Sequence, residues 1–154
     1  MRPASIMDPG SFELHIPSSP GSEKEAMQNA ARVARGMGFS EDRVQDLMTA
    51  VSEACINAME HGNKMDSKAM VGVSLRTEDK RLEVSVRDEG AGGDIETIKA
   101  EAGMPDMDSK IDGTDDRKRG WGIFLINQLM DEVEFLSDKD SGNVVKMVIH
   151  LEKP

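Results

Sequence analysis

Two patterns of apolar residues divide the chain into strands and helices. Alternation of apolar and polar residues predicts strands at 12–16, 69–78, 81–89, 133–137 and 143–152. Apolar residues spaced three or four apart, together with helix start signals, predict helices over about 22–36, 41–61, 94–102 and 120–130. The later strands pair as hairpins. The pattern therefore favours an α+β fold, a two-layer sandwich of a mostly antiparallel or mixed sheet with helices on one face.

Capping residues refine the first two helices. Ser22 and Glu25 match the capping-box pattern at the start of the first helix. Residues 36–39 form a turn, and Ser40 is placed to cap the second helix. On that helix, side chains at about 100° per residue form one apolar arc, made of Val44, Leu47, Met48, Val51, Cys55, Ala58 and Met59.

The chain is predicted to form one domain. Residues 1–11 contain Pro and Gly without periodicity and are expected to be a flexible tail, with the domain spanning 12–154. Within the domain, residues 103–119 are Asp-rich and too long for an ordinary connection, which is typical of lids, binding loops or disorder. We expect a mobile lid over about 94–119.

Composition excludes several classes of protein. With 38% hydrophobic and 31% charged residues, the chain has a globular composition. Its net charge of -10 argues against direct binding of nucleic acid, whose phosphates need a basic surface. No apolar run is long enough for a membrane span, so no membrane association is expected. The single cysteine, Cys55, fits a reducing cytoplasm and lies on the core arc rather than at a reactive site.

One face of the second helix has unusual chemistry for a solvated surface. Glu53, Asn57 and His61 follow one another at four-residue intervals, away from the apolar arc. A carboxylate can act as a general base, and an amide oxygen is a suitable ligand for magnesium. Taken alone, the pair Glu53 and Asn57 is better explained as an exposed face without a role. His61 is better explained as a supporting or helix-end residue.

Two glycine-rich segments add further candidates. Asp88 follows a strand and precedes Gly90 and Gly92, so its carboxylate could accept hydrogen bonds from an exocyclic amine, or the segment could be a simple turn. Residues 117–119 are three cations directly before Gly120 and Gly122. Cations next to a helix N-terminus suggest a phosphate site, although a solvated charge run remains the alternative.

Together, in this order, the three segments resemble the GHKL nucleotide-binding fold. The stretch "EACINAMEHG" is similar to its N box, "DEGAG" to its first glycine box and "RGWGIFLI" to its second. Within that superfamily, "NAMEHGN" and "GIFLINQLMDEVEF" running into a closing hairpin most resemble the stand-alone anti-sigma-factor serine kinases of bacterial partner-switching systems. The resemblance extends from about residue 12 to the end.

The resemblance implies ATP and Mg²⁺ as ligands and a role for each candidate. Asn57 would bind the magnesium ion, and Glu53 would be the catalytic base. Asp88 would read the adenine amino group. The further residues implied to contact the nucleotide are Gly90, Gly92, Arg117, Lys118, Arg119, Gly120 and Gly122. Only one of the three cations is expected to contact the terminal phosphate. Lys118 is a candidate for the place where the family carries an arginine, but Arg117 or Arg119 suits the role better because an arginine offers a bidentate fork.

The implied function is phosphorylation of a serine on a STAS-type anti-sigma-factor antagonist, with sequestration of a sigma factor or similar regulator by a homodimer. The alternative is a non-catalytic, nucleotide-dependent switch that binds its partner without phosphorylating it. A detached ATPase domain that drives a conformational cycle is a third possibility. Glu53 favours catalysis, because binding alone needs no base.

Overall fold

The computed structural model describes residues 5–8, 10–66, 68–90, 115–138 and 142–151. Six strands and three α-helices are found in these ranges. In chain order they are β1 (Ser5–Asp8), β2 (Ser11–Pro17), α1 (Glu23–Met37), α2 (Glu41–Asn57), a π-helical turn (Ala58–Gly62), β3 (Met70–Glu78), β4 (Arg81–Arg87), α3 (Asp115–Leu129), β5 (Glu132–Asp138) and β6 (Gly142–His150).

The strands form one six-stranded sheet in the order β1-β2-β3-β4-β6-β5. Every neighbouring pair is antiparallel. In the centre of the sheet, Val73 pairs with Leu14 on one side and with Val86 on the other. Because side chains alternate between faces along a strand, this register places the apolar residues of neighbouring strands on the same face.

The helices cover that apolar face. Side chains from β2, β3, β4 and β6 form one core with side chains of all three helices. Helix α1 contributes only small residues as fully buried positions, namely Ala26, Ala30, Ala31 and Ala34. Such small side chains let α1 pack closely against α2, which buries the larger Val44, Leu47 and Val51. The predicted α+β two-layer sandwich with helices on one face is confirmed.

The N-terminal part differs from the sequence expectation in two details. Residues Ser5–Asp8, within the expected flexible tail, form an edge strand that pairs with β2. Ser22 has helical backbone angles and its side chain makes no capping hydrogen bond, so the predicted capping box is wrong. Ser40 does cap α2, since its hydroxyl oxygen accepts from the Arg43 backbone N–H at 3.3 Å.

Helix α3 begins earlier than predicted, at Asp115 rather than after Gly120. Its first two residues are Asp115 and Asp116, and acidic residues are favourable at a helix start in general. Residues 115–119, expected at the end of the lid, are therefore helical. The predicted short helix at 94–102 and the rest of the lid, up to residue 114, lie outside the described residues, and the division into tail, domain and lid stays a prediction.

Within the described ranges, none of the helices has both the length and the apolar character needed to cross a membrane.

Candidate functional site

Glu53 and Asn57 lie on the side of α2 that meets α3. A Cβ atom added to Gly122 would lie 2.6 Å from Glu53 Oε2 and 3.6 Å from Asn57 Nδ2. Only a residue without a side chain lets α3 approach this closely. The two polar side chains of the row are thus partly covered rather than solvated, which argues against an exposed face without a role.

The position of Glu53 changes its acidity. Its carboxylate is half-buried, and this burial raises its pKa above the ordinary value of 4.5. The negative charge of Glu60 raises it further. Both causes disfavour the ionised form, so Glu53 holds a proton more tightly than a solvated glutamate does. A raised carboxyl pKa is the property expected of a general base that works near neutral pH.

Helix α2 continues into the π-helical turn Ala58–Gly62 rather than ending. π-helical turns are rare and occur frequently at functional sites. Here the turn carries His61 and Gly62 to the same cavity that Asn57 lines. His61 is therefore a neighbour of the site, as the sequence suggested.

The cavity has a volume of about 40 Å³ and lies between the helices and the sheet. Its lining comes from α2, the π-helical turn, α3 and three strands or their ends: Ala54, Asn57, Ala58, His61, Gly62, Val86, Asp88, Ile123, Phe135, Asn143 and Val145. It is mainly apolar, with Asp88 as its buried acidic group. An apolar cavity with a few convergent polar groups is the usual form of a small-molecule site.

Asp88 is 5% exposed and is held by backbone donors. Its Oδ1 accepts hydrogen bonds from the N–H of Gly90 at 2.9 Å and from the N–H of Asn143 at 3.0 Å. Its own N–H donates to the carbonyl oxygen of Asn143 at 3.0 Å. The other carboxylate oxygen, Oδ2, lies against Gly62. A carboxylate fixed through one oxygen can offer the other to an exocyclic amine.

The chain can pass this close to Asp88 because of two glycines. A Cβ atom on Gly62 would collide with the Asp88 carboxylate, and one on Gly142 would lie 2.7 Å from Asp88 Oδ1. Gly142 also has a φ of +85°, a conformation that side chains disfavour. Neither glycine was predicted as part of the site.

The predicted phosphate-binding residues are only partly placed. Gly92 lies outside the described residues. Arg117, Lys118 and Arg119 lie in the first turns of α3. Counted from Asp115, Gly120 is the sixth residue of α3 and Gly122 the eighth. Only the first four N–H groups of a helix lack partners. The expectation that Gly120 and Gly122 stand at the helix start is therefore wrong for this conformation.

Asn143 is a site residue that sequence reasoning missed. It is the first inward-facing residue of β6, followed by Val145, Met147 and Ile149 on the same face. Its side-chain Oδ1 is buried and has no hydrogen-bond partner within the described part of the chain. The sequence did contain a signal for Asn143, since it is a polar residue at the start of an otherwise apolar inward face. Buried polar groups normally have partners, so such a residue suggests a ligand or a structural contact.

The described residues can hold a magnesium ion only as part of a site that other ligands complete. They contain no cluster of three His, Cys, Asp or Glu side chains suited to a metal. Mg²⁺ commonly uses one or two protein oxygens and takes its other ligands from phosphates and water. Asn57, next to the Glu53 carboxylate and at the cavity, fits that kind of partial site.

Comparison with known proteins decides the family. A family model described as histidine kinase-like ATPase domain matches residues 16–149. The chain belongs to this family. The match includes Glu53, Asn57, Asp88, Gly122 and Asn143, so the family's domain contains the whole site described above. The resemblance to the GHKL fold read from the three sequence segments is confirmed.

Curated relatives of this histidine kinase-like domain are named for one activity. The chain is 30% identical over 148 residues to "Serine-protein kinase RsbW" of Halalkalibacterium halodurans, which covers 96% of this chain and 88% of that protein. It is 32% identical over 142 residues to the protein of the same name from Bacillus mycoides, and the alignment covers 92% of this chain and 86% of that protein. The relatives therefore align with nearly the full length of the domain.

Solved structures share its fold. A structure of the RsbU and RsbW domains of a Mycobacterium tuberculosis protein matches 92% of this chain and 33% of its own, with a TM-score of 0.61 and 19% identity. The SiaB–SiaC complex from Pseudomonas aeruginosa matches with a TM-score of 0.66 and 17% identity, covering 89% of this chain and 88% of the other. At these identities the likeness concerns the fold alone.

Proposed function

We propose that the protein is an ATP-dependent serine kinase that phosphorylates a STAS-type anti-sigma-factor antagonist and sequesters a sigma factor or similar regulator. The proposal includes a homodimer that acts in the cytoplasm. The relatives named serine-protein kinase support it, as does membership in the histidine kinase-like ATPase family. The observation that carries it is the half-buried Glu53, one turn from Asn57 and beside the Asp88 cavity.

The adenine base is proposed to enter the cavity and donate from its amino group to Asp88. Asn57 would hold Mg²⁺, which would neutralise charge on the phosphates when bound. Gly90, Gly92, Gly120, Gly122 and one of the cations at 117–119 are proposed to contact the nucleotide, as the resemblance implies. For Gly120 and Gly122 to use their backbone N–H groups, the first turns of α3 would have to unwind.

Glu53 is proposed to accept the proton of the attacking serine hydroxyl. The serine oxygen forms a bond to the terminal phosphorus of ATP, the bond to the bridging oxygen breaks, and ADP leaves. Phosphoryl transfer depends mainly on positioning and charge neutralisation. A base with a raised pKa takes up the proton more readily as the hydroxyl reacts.

The alternative function is a nucleotide-dependent switch that binds its partner without transfer. One site feature distinguishes the two. A switch needs Asp88 and Asn57 to bind nucleotide, but it has no use for a carboxylate whose ionised form is disfavoured by burial. The position of Glu53 therefore favours the kinase.

The decisive experiment is incubation with labelled ATP, Mg²⁺ and the STAS proteins of the source organism. The wild type should transfer label to a serine of one of them. Glu53→Gln should bind ATP but transfer at least a hundredfold more slowly, within the range of about 10²–10⁴ for a lost general base. Asn57→Ala should lose the magnesium-dependent part of ATP affinity.

Glu60→Gln is the matched control for the loss of a carboxylate near the same site. Glu60 is exposed and lies within the π-helical turn, so its variant should keep transfer at neutral pH. Transfer that persists in Glu53→Gln would remove Glu53 as the base. ATP binding without transfer to any STAS protein, in the wild type, would instead favour the switch.

A further inference from the structure

A buried amide connects the end of the π-helical turn to the segment that carries Asp88. Asn63 follows the turn directly, and it is only 6% exposed. Its backbone N–H donates to the carbonyl oxygen of Ala58 at 2.8 Å, which fixes its position against the turn. Asn63 was not among the residues singled out from the sequence.

The side chain of Asn63 links three separate segments. Its Nδ2 donates to Ser18 Oγ at 2.9 Å and to the carbonyl oxygen of Met70 at 3.1 Å. Its Oδ1 accepts from the backbone N–H of Glu89 at 2.7 Å. The Ser18 hydroxyl in turn donates to the carbonyl oxygen of Ala69 at 2.7 Å. Both ends of the buried amide therefore have partners, which is the condition for a buried polar network to define one conformation.

Asn63 supplies one of three consecutive hydrogen bonds that hold residues 88–90. The Asp88 N–H donates to the Asn143 carbonyl, and the Gly90 N–H donates to Asp88 Oδ1. Between them, the Glu89 N–H donates to Asn63. This middle bond ties the segment to the end of the helix carrying Glu53 and Asn57.

We infer that Asn63 is a positioning residue for nucleotide recognition: through the Glu89 N–H it sets where Asp88 stands relative to α2. The inference rests on the proposed binding of ATP. Asp88 would read the base, while Asn57 would act at the phosphates through the metal ion. A ligand that spans both needs a fixed separation between the two residues, and the Asn63 side chain connects their segments.

Two variants separate positioning from general stability. Asn63→Ala removes the acceptor for the Glu89 N–H, whereas Asn63→Asp keeps an oxygen of the same reach. Dissociation constants of Mg-ATP and Mg-GTP are measured at low temperature, with folding checked by circular dichroism. We expect Asn63→Ala to weaken ATP binding at least about tenfold and GTP binding less, because guanine has a carbonyl oxygen where adenine has the amino group that donates to Asp88. Asn63→Asp should restore most of the preference for ATP.

A control and a second readout complete the test. Val44→Ala destabilises α2 far from the site and should leave both dissociation constants unchanged. Hydrogen exchange of the Glu89 backbone amide should be faster in Asn63→Ala than in the wild type. If Asn63→Ala does not fold, Ser18→Ala is used instead and should show a smaller increase. If the wild type binds ATP and these variants keep the same preference for ATP over GTP, the inference is wrong while the proposed function stands. A wild type that binds no ATP would overturn the proposed function and this inference together.

Discussion

The Glu53 carboxylate lies half-buried beneath Gly122, where ionisation is disfavoured. Because its folded-state pKa is raised above 4.5, the folded chain binds this proton more tightly than the unfolded chain does. Stability is therefore lost as the pH rises from the unfolded pKa through the folded one. Glu53→Gln, uncharged at every pH, should melt at a higher temperature than the wild type at about pH 7.5.

The pH dependence provides the check on that prediction. Below the ordinary carboxyl pKa, Glu53 is protonated in both states, so the difference in melting temperature between wild type and Glu53→Gln should disappear. Thermal melts of both proteins across this range measure it. A constant difference at all pH values would show that packing of the amide, rather than loss of charge, is responsible.

A substitution at Glu60 should change the pKa of the Glu53 carboxyl without altering Glu53 itself. Its negative charge is the second cause of the raised Glu53 pKa. Glu60→Gln should therefore shift the acid side of the transfer pH profile to lower pH, because Glu53 stays ionised further down. The effect should shrink at high salt, since Glu60 is exposed and screened. Glu25→Gln on α1 is the control, and an identical shift in that variant would contradict the assignment.

At the level of elements, Arg43 anchors the C-terminal end of α3. Its Nη1 donates to the Leu129 carbonyl oxygen at 2.9 Å, and its Nη2 donates to Asp131 Oδ2 at 3.2 Å. The same Asp131 oxygen accepts from the His150 backbone N–H at 2.8 Å. A single guanidinium from α2 thus joins α3 and β6 at the end of α3 opposite the site.

Arg43→Met should loosen this connection while keeping much of the side chain's packing. Loss of the charge-assisted hydrogen bonds is expected to cost roughly 1–2 kcal/mol of unfolding free energy, measured by urea denaturation. Arg35→Met is the control, since Arg35 is exposed and, among the residues that the structure describes, forms its ion pair with exposed Glu41. Equal losses in the two variants would mean that the anchor contributes nothing beyond an ordinary surface ion pair.

Sequence pattern predicted the elements better than their ends. Alternation located β3 and β4 because their buried positions, such as Val73 and Val84, are all apolar. The start of α3 was misplaced because Gly120 was taken as a helix boundary, although the acidic pair at 115–116 is a favourable helix start. The π-helical turn could not be predicted either, since α and π helices share the same residue preferences over so short a stretch.

For the molecule as a whole, the site depends on contacts between residues distant in sequence. Glu53, Asn57 and Asp88 could be proposed because each lies within a short recognisable segment. Gly62, Asn63 and Gly142 could not, because their roles arise only when the π-helical turn, β4 and β6 meet around Asp88. The two-layer arrangement itself follows from the apolar faces, which must be buried against each other.

The same two layers limit access to the site. The cavity of about 40 Å³ has room for a few waters, since one water needs roughly 10–15 Å³ of such volume. A purine base is larger than a few waters, so we expect binding to separate the α3 wall at Ile123 from the sheet wall at Phe135. A protein that must first open binds with an affinity reduced by the fraction that is open.

Ile123→Ala removes part of the α3 wall and should speed ATP association, measured by stopped flow. It should also lower the unfolding free energy by about 2–5 kcal/mol, because Ile123 is fully buried. Ile126→Ala is a closely matched control: Ile126 is equally buried one turn further on but does not line the cavity. It should lose similar stability without faster association. Equal association rates in the two variants would show that general loosening of α3, rather than opening of the cavity, admits the nucleotide.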